Sequence, residues 1–152
     1  MEPCIIEIEG FGSNIDKETL QDEVRAVVLD MRRIDTKSVW LSEPFVALAT
    51  DLLHKTLCER ERQKGSPYTP QEKRIFVGEL ARTKKFFLNR KRDNETPYFD
   101  EHIIGTMNYV RDLCGLTGLE SSVGAMHHDT GEEIEDVKAN PDLLVDQRAY
   151  QH

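Results

Sequence analysis

Pro97-Tyr98-Phe99-Asp100-Glu101-His102 and Met126-His127-His128-Asp129-Thr130-Gly131-Glu132-Glu133 are the two stretches from which the fold of this chain is read. Between them, Ile103, Met107, Val110 and Leu113 recur at helical spacing. Gly115-Leu116-Thr117-Gly118 then interrupts the pattern, and Leu119, Val123 and Met126 resume it in a helix expected to reach His128-Asp129 and to end or bend at Gly131. One helix up, a short turn and one helix back bring the two ends of such a hairpin together. The sequence therefore predicts that His102 meets His128 and Asp129. Imidazole nitrogen and carboxylate oxygen together suit a first-row divalent ion, and such an ion can ease the ionisation of water.

Upstream, helical signals dominate. Asn14 or Asp16 can cap a first helix with Leu20, Val24, Val27, Val28 and Met31 on one stripe. Ser42-Glu43-Pro44 opens a second, with proline in the first turn where its missing N–H costs nothing. Its apolar side is Phe45, Leu48, Ala49, Leu52 and Leu53, and it stops by Gly65. Thr69-Pro70-Gln71-Glu72 reads as a capping box for a third helix carrying Ile75, Phe76, Leu80 and Phe87. Residues 4–9 partly alternate and allow one short strand or an arm. The expected architecture is all-α: one domain over 1–152, with N-terminal helices over 1–68, the histidine-bearing region over 69–138 and a tail over 139–152.

Composition narrows the function class. The net charge of −8 disfavours nucleic acid as the main partner. No apolar run approaches the roughly 18 residues of a membrane span, and Met1–Glu7 lacks the basic and apolar segments of a secretory signal. Cys4, Cys58 and Cys114 show no CxxC spacing, which fits structural thiols in a reducing cytosol. Arg82, Lys84, Lys85, Arg90, Lys91 and Arg92 form a basic stretch ahead of His102. It suits a phosphorylated small molecule or, equally, a solvated helix face. Trp40, Phe86 and Phe87 are expected in the core or at an interface. Arg62 to Tyr68 repeats the Arg, Pro and Tyr spacing of Arg92 to Tyr98 but has no histidine after it, and reads as a structural turn.

These residues resemble the HD superfamily of metal-dependent phosphohydrolases, in particular the hydrolase domain of RelA/SpoT-type alarmone enzymes. The resemblance covers about Glu79 to Glu135 and is carried by Arg92-x4-Pro97-Tyr98 ahead of His102, by Val123-Gly124-Ala125-Met126 before His128-Asp129, and by Glu132-Glu133 after it. It implies that His102, His128 and Asp129 ligate manganese, that Glu132 and Glu133 serve water activation, and that Arg92 contacts the nucleotide base. The implied reaction is attack by metal-bound hydroxide at the 3′-diphosphate of guanosine tetra- or pentaphosphate, releasing pyrophosphate, in the cytoplasm. His127 lacks a following aspartate and is expected to pack or support rather than ligate.

The chain departs from the family where Phe87 replaces a usual histidine, where Asp93 replaces a basic residue, and in one extra residue between Pro97-Tyr98 and His102. The superfamily's distal aspartate has no counterpart at its usual separation, since Asp136, Asp142 and Asp146 lie closer to the pair. A fragment, a different fourth ligand and a degenerate site all stay open. Two other readings also stay open. One is a catalytically incomplete helical module for nucleotide sensing or protein interaction, docking a second copy or a partner through its N-terminal helices. The other is an HD nucleotidase or phosphodiesterase acting on another nucleotide.

Overall fold

The computed structural model describes residues 16–38, 41–88, 90–91 and 95–129. The 4–9 strand, Trp40, Arg92, Asp93, Glu132, Glu133 and the acids beyond them lie outside the described residues. The protein is all-α. It divides into two compact units, Met1–Gly78 and Glu79–His152, with the division falling inside the third helix.

The first unit is built on α1 (Lys17–Ile34) and α2 (Glu43–Arg62). Asp16 caps α1 by accepting from the Glu18 amide and the Thr19 hydroxyl. Leu20, Val24 and Val28 are buried one turn apart, which turns a single stripe of α1 onto α2. α2 carries a wider buried face, with Phe45, Val46, Ala49, Leu52, Leu53 and Leu57 all covered. Around this seam run exposed ion pairs. Arg25 binds Glu43 through two nitrogens at 3.0 and 2.8 Å, and Lys17 reaches Asp51 at 3.3 Å. α2 ends where Lys64 takes a left-handed conformation, φ 62°, and the Gly65 amide returns to the Arg60 carbonyl.

Helix α3 (Pro70–Phe86) opens on the expected capping box: the Thr69 amide donates to Glu72 at 2.9 Å and the Glu72 amide to the Thr69 hydroxyl at 3.1 Å. Phe76, Leu80 and Phe87 are buried as expected, joined by Val77 and Ala81. Ile75 is instead partly exposed, one position off that stripe. Tyr68 is buried with its ring 6.4 Å from that of Phe76, which makes the first Arg-Pro-Tyr segment a packed turn.

In the second unit the chain leaves α3 through Phe87, pairs Lys91 with Pro97 and returns the Tyr98 amide to the Arg90 carbonyl. A π-helical turn, Phe99–Ile103, leads into α4 (Ile104–Asp112), and α5 is Leu119–Met126. Gly115, at φ 70°, ends α4 in the left-handed conformation that glycine adopts without cost. The Leu116 amide reaches back to the Val110 carbonyl, so α5 packs on α4 as a helical hairpin. Phe99, Ile103, Met107, Ala125 and Met126 form its buried seam.

Candidate metal centre

The hairpin places three side chains as the spacing predicts. His102 stands in the π-helical turn, a local widening that recurs at functional sites. His128 and Asp129 stand in the turn just after α5, not on its last turn as the sequence suggests, because α5 ends at Met126. Nε2 of His102, Nε2 of His128 and Oδ2 of Asp129 nonetheless converge, all within 4.8 Å of one another. The two nitrogens are 3.0 Å apart, and they lie 2.8 and 3.1 Å from the carboxylate oxygen. Adjacent donors around an ion held at roughly 2.1 Å are about 3 Å apart, so this spacing fits a divalent cation.

The polarity of the donors fits as well. His128 Nδ1 is 2.7 Å from the Ala125 carbonyl oxygen, which can only accept. That assigns the proton of the neutral ring to Nδ1 and leaves Nε2 as a lone pair. The lone pair faces His102 Nε2 and Oδ2 of Asp129, so with His102 in the same tautomer the three atoms would offer lone pairs to one cation. Tyr98 supplies a further constraint: its hydroxyl donates to Asp129 Oδ2 at 2.5 Å. Its ring stacks on Phe87, centroids 4.8 Å apart and 12° from parallel, and meets His102 edge-on at 5.1 Å. Phe87 is thus the platform for the tyrosine. The Asp129 side chain is only 14% exposed and those of both histidines 31%, so the cluster is partly accessible and not enclosed in the core.

His127 does not join the cluster. Its Nε2 meets Oε1 of Glu79, on α3, at 2.8 Å, in keeping with the supporting role expected for it. Oε2 of the same glutamate accepts from Arg82 at 3.3 Å. Within the basic stretch, Arg82 therefore pairs with Glu79, and Lys84 lies 3.9 Å from Asp100 and over the Phe99 ring at 4.9 Å. Glu132, Glu133 and Arg92, the expected catalytic and base-contacting residues, lie outside the described residues. Sequence reasoning missed Glu79 altogether. It quoted Tyr98 only as part of a motif, although a residue four before His102 shares its helix face.

Family models, curated proteins and solved structures were all compared with this chain, and none matches. Among the described residues, no helix is long and apolar enough to cross a membrane.

Proposed function

We propose that the second unit is a divalent-metal centre, with manganese as its ion, serving a phosphohydrolase that acts on a phosphorylated nucleotide in the manner of a guanosine 3′,5′-bis(diphosphate) 3′-diphosphatase. The observation that carries the metal reading is the convergence of His102 Nε2, His128 Nε2 and Asp129 Oδ2 from sequence-distant turns. A divalent ion supplies Lewis acidity, polarising a phosphoryl oxygen and easing the ionisation of water. The protein's own share is positional. Ala125 holds His128 in the tautomer that offers Nε2, and Tyr98 holds Asp129 with one oxygen toward the histidines. In this reading Glu132 and Glu133 handle the proton of the attacking water and Arg92 contacts the base. The hydrolase assignment itself rests on the resemblance of these motifs to the alarmone-hydrolase pattern.

Calorimetric titration of the full chain with Mn²⁺, beside Asp129→Ala, tests the centre, and pyrophosphate release from guanosine tetraphosphate tests the activity. Saturable binding lost in the variant, with pyrophosphate released, is the expected result. Binding without turnover on that substrate or on other nucleotides would replace the enzyme by a helical module that holds metal. No binding would end the metal reading.

A further inference from the structure

Among the described residues, His128 and Asp129 stand in the turn that follows α5, and the contacts of that turn set its direction. The backbone amide of His127 closes α5 on the Val123 carbonyl at 3.1 Å, and the His128 ring closes on Ala125. Both anchors lie on α5. Two further contacts come from outside α5: the Tyr98 hydroxyl donates to Asp129, and Glu79 of α3 receives the His127 ring at 2.8 Å. A carboxylate accepts, so Nε2 of His127 carries the proton in this contact. Glu79 is not a ligand, since its two oxygens go to His127 and Arg82 and it stands apart from the converged donors. Both members of the contact are largely buried, with side-chain exposures of 22% and 18%, which favours a fixed geometry over a solvent-exposed pairing.

We infer that Glu79 is a positioning residue for the metal centre, acting through His127 to set the direction of the turn that presents His128 and Asp129. The inference rests on the metal reading above and extends it to Glu79 on α3, a residue that reading gave no role. Groups that orient ligands from behind typically change metal affinity by 10–100-fold when removed. Glu79 acts one residue away from the ligands, so the lower end of that range, about tenfold, applies.

The test is Mn²⁺ calorimetry on the full chain for wild type, Glu79→Ala, Glu79→Gln, His127→Ala and the Glu79→Ala/His127→Ala double variant, with helicity followed by circular dichroism. Glu79→Ala and His127→Ala should each bind about tenfold more weakly. The double variant should bind no more weakly than either single one, because both changes break one contact. Glu79→Gln should recover most of the affinity, since its amide oxygen still accepts from Nε2–H. A general loss of α3 structure would not be rescued in this way, nor would it be cancelled by a second change at His127. The electronic spectrum of the Co²⁺-loaded chain should shift in Glu79→Ala and return in Glu79→Gln. If Glu79→Ala fails to fold, His127→Ala and Glu79→Gln decide: His127→Ala binding like wild type overturns the inference. Wild-type affinity in Glu79→Ala, or losses that add in the double variant, overturn it while leaving the metal reading intact. A wild-type chain that binds no Mn²⁺ overturns both.

Discussion

The Tyr98 hydroxyl donates to Oδ2 of Asp129, the oxygen that also faces both histidines. A tyrosine at the mouth of one helix thereby fixes a carboxylate beyond the end of another. Its ring is held independently by stacking on Phe87. Tyr98→Phe therefore separates the two roles, keeping the stack and deleting the hydrogen bond. Mn²⁺ affinity should fall by about tenfold and stability by about 0.5–1.5 kcal/mol, the usual worth of one hydrogen bond. Calorimetry and urea unfolding measure the two quantities. Unchanged affinity would mean that Asp129 needs no outside orientation.

An ion bound by the folded state alone raises its stability by mass action. At 100 times the dissociation constant the gain is about 2.7 kcal/mol. Thermal unfolding of wild type should therefore move upward with added Mn²⁺ and return when the ion is chelated. His102→Ala, which removes one of three donors, should abolish that response. A His102→Ala chain that is stabilised as strongly as wild type would place the ion elsewhere.

Much of this architecture is legible because its signals are local. Asp16, Thr69 and Glu72 announce helix starts through side-chain chemistry that needs no tertiary context, and Leu20, Val24 and Val28 show which face is covered. Gly115 and Gly118 mark the hairpin turn, and the turn brings the histidines together. The end of α5 is less readable. Gly131 looks like its stop, yet the helix ends at Met126. There the His128 ring takes the Ala125 carbonyl and the His127 ring turns to Glu79. The first contact is a side chain competing with the backbone for a helix-terminal carbonyl. The second is a long-range contact that no spacing rule encodes. Glu79 stayed hidden for the same reason.

The capping box of α3 gives a stability prediction independent of any ligand. Thr69→Ala leaves the Glu72 amide without its hydroxyl acceptor and should cost about 1 kcal/mol. Thr69→Ser keeps the acceptor and should cost much less. A midpoint shift in urea, read by circular dichroism, distinguishes the pair.

Acid should loosen the first unit in a traceable way. The Arg25 guanidinium holds the Glu43 carboxyl below its usual range by hydrogen bonding and charge, and a hydrogen bond from the Thr19 hydroxyl lowers Asp16. A group with a depressed folded-state pKa favours folding above its unfolded pKa, and that contribution fades as pH falls through the folded value. Glu43→Gln should therefore be less stable than wild type at pH 7. Near pH 3, below the unfolded carboxylate range of roughly 4 and on the way to the depressed folded value, the difference should be smaller. Urea midpoints at the two pH values check this, and a difference undiminished at low pH would show that packing, not charge, is lost.

Gly115 links backbone conformation to the site. At φ 70° it occupies a region where a β-carbon is strained, and Gly115→Ala should cost about 1 kcal/mol or more. The strain falls on the α4–α5 turn, which controls how the hairpin closes and so how His102 meets His128. If that closure builds the centre, Gly115→Ala should weaken Mn²⁺ binding as well as lower the unfolding midpoint. Gly124, on α5, has no heavy atom near the place a β-carbon would occupy, and its helical backbone accepts alanine. Gly124→Ala is thus the matched control, expected to leave both quantities near wild type. Equal effects at the two glycines would detach the turn from the site, and the convergence of the histidines would then need another cause.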